Sequence, residues 1–175
     1  MKISLIKAAI LFTAGVMAVS CISDNGGDGT TDNYIKVGDQ VPSFSVSNLN
    51  GEKFTSPAGF EGKTSLLVMF ATWCPACRGE LPSLNSLWGD ISGDETLGLL
   101  LLSRAEEISV VEDFWKEAGY TVPWYPDSDR KVFDMFANQS IPRLYIIRNG
   151  RVQWMSVGSP GLDKAGYINL LNKYK

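Results

Sequence analysis

The sequence predicts one α/β domain: a mixed β-sheet with helices on both faces, preceded by an added β-hairpin. Three observations carry that expectation. Two apolar runs, SLLVMFA at Ser65–Ala71 and LGLLLL at Leu97–Leu102, have the continuous hydrophobicity of strands buried on both faces. Segments with helical apolar spacing follow each run, so strands and helices alternate. Two Asn-Gly pairs, Asn50-Gly51 and Asn149-Gly150, mark tight hairpin turns.

Each element has its own signal. Phe44, Val46 and Phe54 alternate with polar residues on either side of Asn50-Gly51, which reads as the leading hairpin. The strand inside Lys63–Ala71 feeds a helix expected from Pro75 to Trp88. Leu81, Leu84 and Trp88 make its apolar stripe, and Pro82 removes one backbone donor and should bend it. After the strand Leu97–Leu102, Ser109–Ala118 reads as a helix with Ser109 as candidate cap and Gly119 as its stop. Val110, Val111, Phe114 and Trp115 are expected on its apolar side. Val122–Tyr125 is a short strand interrupted by Pro123, and Asp127–Asn138 a helix entered through Asp127 or Ser128. Strands Leu144–Ile147 and Val152–Val157 flank Asn149-Gly150, and Leu162–Tyr174 closes the chain as a helix. The folded domain is therefore expected over 34–175.

Composition narrows the chemistry. The 175 residues are 45% hydrophobic and 20% charged, which excludes a disordered chain, a collagen and a polytopic membrane protein. Histidine is absent, removing Ser/His/Asp and Cys/His nucleophile systems and His-ligated metal or haem sites. A net charge of -3 offers no basic field for nucleic acid. Thiols and carboxylates remain, with three cysteines.

The N-terminus reads as an address. Lys2 and Lys7 precede the uncharged run Ala8–Val19, a secretory signal pattern too short for a membrane span. Ala18-Val19-Ser20-Cys21 resembles a lipobox, departing from it at position 18, where leucine is more usual. The resemblance implies a lipoprotein signal over 1–20, cleavage before Cys21 and lipid on that cysteine; a cleaved signal with an incidental cysteine is the alternative. The stretch ISDNGGDGTTDN that follows Cys21 cannot bury enough apolar surface to order itself, so 21–33 reads as a tether. The expected location is the cell envelope, outside the cytoplasm and anchored to a membrane.

Trp73-Cys74-Pro75-Ala76-Cys77 sits where the first buried strand meets its helix. Two cysteines at that spacing serve disulfide redox or half a metal site. A tetrahedral zinc site needs two further ligands, and beyond the pair the chain has only Cys21 and no histidine. Unpaired N–H groups at the helix start favour negative charge, so Cys74 is the expected nucleophile and Cys77, one turn further in, the resolving thiol. Pro75 suits the first helical turn.

The segment GKTSLLVMFATWCPACRGELPSL resembles the active-site region of thioredoxin-fold thiol–disulfide oxidoreductases, above all lipoproteins of the TlpA/ResA type, related to AhpC/TSA and redoxin proteins. The resemblance extends over most of 37–174, through the leading VGDQVPSFSVSNLNGEKF and the later SIPRLYIIRNGRV. It implies a thioredoxin-like fold, a cis Ile141–Pro142 bond facing the thiols, and support of the site by Trp73, Pro75 and Ala76. It also implies reduction of disulfides in exported proteins, apocytochromes c among them, with electrons from a membrane or extracytoplasmic donor. Thioredoxin itself carries a buried aspartate six residues before the first cysteine; Val68 stands there, and Glu80 is the expected substitute for moving protons. No separate cofactor or metal is expected, the redox group being the Cys74–Cys77 pair, and no nucleic-acid partner; a monomer is expected. The competing readings are a peroxiredoxin-like thiol peroxidase, disfavoured because Ala71 stands where its threonine belongs, and a non-catalytic Cu(I) thiol carrier.

Overall fold

The computed structural model describes residues 33–175. The predicted signal segment, Cys21 and the tether up to position 32 lie outside the described residues.

Strands β1 (Phe44–Ser47) and β2 (Lys53–Ser56) form the leading hairpin as a separate antiparallel pair. The Asn48 side chain accepts from the N–H groups of Asn50 (3.0 Å) and Glu52 (2.9 Å), and Gly51 takes φ 81°. The main sheet contains β3 (Thr64–Phe70), β4 (Leu97–Arg104), β5 (Trp124–Asp127), β6 (Arg143–Arg148) and β7 (Arg151–Val157) in the order β5-β4-β3-β6-β7. β5, β4 and β3 run parallel; β6 is antiparallel to β3, and β7 to β6. β3 is central and all seven of its residues are buried, which explains its unbroken apolar run.

Side chains alternate across that strand. Leu66, Val68 and Phe70 join a core with α1 (Pro75–Ile91), α2 (Ile108–Ala118) and α4 (Lys164–Lys173). Leu67 and Met69 face the opposite layer, built from the hairpin residues Phe44 and Val46 and from α3 (Phe133–Phe136). Helices therefore lie on both faces of a mixed sheet, as the sequence predicts.

Several elements depart from expectation for physical reasons. Helix α1 continues through Pro82 to Ile91, because Leu87 and Ile91 extend the buried stripe another turn. Helix α2 starts at Ile108 with Glu107 at its N-cap, not Ser109, and no side chain caps it. Val110 is exposed: the buried pair Val111 and Trp115 lies four residues apart, and Val110 sits about 100° away from Val111. Gly119 stops the helix at φ 67°. β5 starts at Trp124, after Pro123, which has no N–H to give a ladder.

The helix expected over Asp127–Asn138 shrinks to one turn. Arg130 adopts φ 62°, which breaks any helix, and Asp127 ends a strand while its carboxylate accepts from the N–H groups of Val132 (3.0 Å) and Phe133 (2.8 Å). The closing hairpin forms as expected, with Asn149 at φ 49° and Gly150 at φ 72°. Asp163 caps α4, accepting from the Gly166 N–H at 2.8 Å, so the helix begins two residues after Leu162.

Candidate active site

The thiol pair occupies the loop from the end of β3 into α1. The loop is fixed first at Thr72, whose N–H (2.7 Å) and hydroxyl (2.5 Å) both donate to the Glu106 carboxylate. Ser103 also donates to that carboxylate at 3.3 Å, and the Ser128 hydroxyl donates to the Glu106 carbonyl at 2.7 Å. Ala105 before it lies at φ 58°, a left-handed conformation between the end of β4 and the start of α2. Glu106 and Thr72 are buried polar residues that sequence reasoning missed. A glutamate in a polar strand-to-helix loop has the pattern of a solvated residue, so the sequence carries no signal for its burial.

Cys74 is the N-cap of α1 with extended backbone, and its Sγ accepts from the Cys77 N–H at 3.2 Å. Its Sγ also donates to the Ile141 carbonyl across a 3.8 Å gap. The Ile141–Pro142 bond is cis, as the resemblance implies, and the described residues hold a second cis bond at Ser56–Pro57. Trp73, Pro75 and Ala76 are exposed around the thiol, Trp73 at 61%. Both cysteines are free thiols. Cys77 is 1% exposed, and burial, followed by its hydrogen bond with Cys74, pushes its thiol well above the ordinary cysteine range. Arg78, next to the pair, lies 5.4 Å from the centroid of the Phe114 ring, a cation–π contact on α2.

Glu80 lies one turn beyond Cys77 and is 3% exposed, so it is not a surface glutamate. Its carboxylate accepts from the Ser159 hydroxyl, the Tyr167 hydroxyl and, at 3.1 Å, the Gly161 N–H. These donors come from α4 and the loop that leads into it. Burial, then the Glu80 carboxylate, raises the Tyr167 phenol above its ordinary range. Ser159, Gly161 and Tyr167 were not legible as site residues, being some eighty positions away in the chain. The structure thus brings the Cys74 sulfur, flanked in the chain by Trp73, Pro75 and Ala76, to the Cys77 N–H and to the Ile141 carbonyl that precedes Pro142, and places Glu80 on the same helix, turned toward α4. Among the described residues, no three His, Cys, Asp or Glu side chains converge as a metal site.

A thioredoxin-like sheet with two cysteines at the start of its first helix, set against a cis-proline loop, defines the class: a thiol–disulfide oxidoreductase. The chain belongs to the AhpC/TSA family, whose model matches residues 37–155. It is 29% identical over 169 residues to the thiol-disulfide oxidoreductase ResA of Oceanobacillus iheyensis, covering 93% of this chain and 86% of that one. Solved structures of the same fold include a thiol:disulfide interchange protein of the thioredoxin family from Chlorobium tepidum (TM-score 0.66, 24% identity, 79% of this chain and 97% of that one). StoA from Bacillus subtilis superposes with a TM-score of 0.64 at 22% identity, over 77% of this chain and 98% of that one.

Proposed function

We propose that the protein reduces disulfides in exported proteins from a lipid anchor outside the cytoplasm, exchanging electrons through Cys74 and Cys77. The observation that carries this reading is the placement of Cys74 Sγ, which accepts the Cys77 N–H at the start of α1 and faces the Ile141 carbonyl. In the reaction, the Cys74 thiolate attacks one sulfur of a substrate disulfide. The S–S bond breaks, a mixed disulfide forms on Cys74, and one substrate thiolate leaves and takes up a proton. Cys77 then loses its proton and attacks Cys74 Sγ, releasing the second substrate thiol and leaving the Cys74–Cys77 disulfide. An external thiol donor returns two electrons and two protons. Glu80 is the carboxylate on the same helix assigned to accept the Cys77 proton.

Substrate disulfides in this reading sit on proteins, because Trp73 offers a flat exposed surface beside the thiol and the loop before Pro142 offers backbone for an extended segment to pair with. The purified domain should precipitate insulin by reducing it when a dithiol is supplied, without consuming hydrogen peroxide at a comparable rate. Peroxide consumption with no insulin reduction would move the assignment to a thiol peroxidase.

The anchor belongs to the same proposal. It rests on the basic start, the short apolar run and Cys21. Among the described residues no helix is long and apolar enough to cross a membrane. Radiolabelled fatty acid should enter the full chain in cells, and Cys21→Ser should abolish labelling and membrane retention together. A Cys21→Ser protein that stays in the membrane fraction would show that the N-terminus holds it there by another route.

A further inference from the structure

Arg143, the residue after the cis-proline, has no exposed surface at all. It opens β6, paired with Met69 on β3 and with Val157 on β7, so its backbone is fixed at the end of the sheet from which the thiol loop leaves. Among the described residues no carboxylate accepts a hydrogen bond from it. Its Nε donates to the carbonyls of Gln139 (3.0 Å) and Ser140 (3.0 Å), and its Nη2 to Gln139 again at 2.7 Å. Its Nη1 donates to the Asn33 side-chain oxygen. Each of these acceptors is a neutral oxygen.

A buried guanidinium that donates only to neutral oxygens loses hydration that an apolar side chain of similar volume would never have needed. The compensation here is geometric. The planar fork reaches two consecutive carbonyls of the loop that leads to Pro142, and Ser140, the second of the two, lies at φ 65°, a conformation a non-glycine residue rarely adopts. The next carbonyl, that of Ile141, is the one that faces Cys74 Sγ at 3.8 Å. The same guanidinium ties Asn33 to the loop, and Asn33 bridges Ala137.

We propose that Arg143 is a positioning residue for thiol exchange: it holds the Gln139–Ser140 backbone so that Ile141 stays opposite Cys74, ready to pair with an extended segment of a protein substrate. This rests on the oxidoreductase reading above. Lysine cannot replace the fork, since an ammonium is a single point of donation.

The test uses Arg143→Lys and, because a buried site can fail to fold, Asn33→Ala, which removes one acceptor at the rim. With a disulfide-bonded peptide, the folded Arg143→Lys protein should show a KM raised about tenfold with kcat within about twofold of the parent. Asn33→Ala should show a smaller rise of the same kind. Alkylation of Cys74 by iodoacetamide should be unchanged, because a small reagent does not use the loop. Amide exchange at 139–141 should quicken in both variants. Unchanged KM and unchanged exchange in a folded variant would overturn the proposal. So would a loss shared equally by KM, kcat and alkylation, which is what weakened packing alone produces. A parent that turns over no disulfide peptide counts against the oxidoreductase reading, and amide exchange at 139–141 still decides the clamp.

Discussion

Replacing Cys77 with serine should convert the protein into a trap that accumulates mixed disulfides through Cys74. A serine hydroxyl cannot attack the mixed disulfide, so the reaction stops after its first step. Cys74→Ser should do the opposite: exchange should fall by several orders of magnitude, and almost nothing should be trapped. The asymmetry follows from the surroundings of each sulfur. Cys74 has the Cys77 N–H at 3.2 Å directed at it from the start of α1, which favours a sulfur carrying negative charge. Cys77 is 1% exposed and its thiol is pushed up by burial, so at neutral pH it is protonated and screened from a protein substrate. Non-reducing gels and mass spectrometry of the two variants, incubated with oxidised insulin, read the result. Equal trapping by both would reverse the assignment of roles.

The second large effect is expected at Glu80. Glu80→Gln should lower reductase turnover by roughly a hundredfold, the scale of a lost general base. Its rate–pH profile should also move to higher pH. The sign follows from Cys77: burial holds its proton, so without a nearby carboxylate the proton must leave to solvent hydroxide, which grows with pH. The structure adds a cost that the sequence does not reveal. Both carboxylate oxygens accept from hydroxyl or N–H donors, and an amide must turn its own NH2 toward one of them. Leaving one buried donor unpaired costs about 1–3 kcal/mol, visible as a lower urea midpoint. Tyr167→Phe separates the two roles, because it removes one donor and keeps the charge. Its stability should fall while most of the turnover survives. If Glu80→Gln loses stability but keeps the parental turnover and pH profile, Glu80 is a structural carboxylate that ties α1 to α4.

Periodicity and punctuation in the sequence locate the strands and most helices, with β5 found two residues later than expected. The continuous apolar run of β3 demands burial on both faces, and Asn149-Gly150 can close only a tight hairpin, so local residues suffice there. The Cys-Pro-Ala-Cys spacing at a helix start likewise places both sulfurs on one turn whatever surrounds them. The helix expected over Asp127–Asn138 shows where that logic stops. Its composition suits a helix, but the Asp127 carboxylate is held at the end of β5 and Arg130 turns left-handed, so tertiary position overrides propensity. The polar framework of the site was decided in the same way. Glu106 reaches Thr72 across 34 positions, Tyr167 reaches Glu80 across 87, and Arg143 reaches Asn33 across 110. Glu80 was legible as a site carboxylate, but none of these partnerships was. Only tertiary packing, of β3 beside β4, of α1 against α4 and of the segment at Asn33 against the loop before β6, brings their partners within hydrogen-bonding range, and a hydrogen bond formed that way leaves no local trace in the sequence.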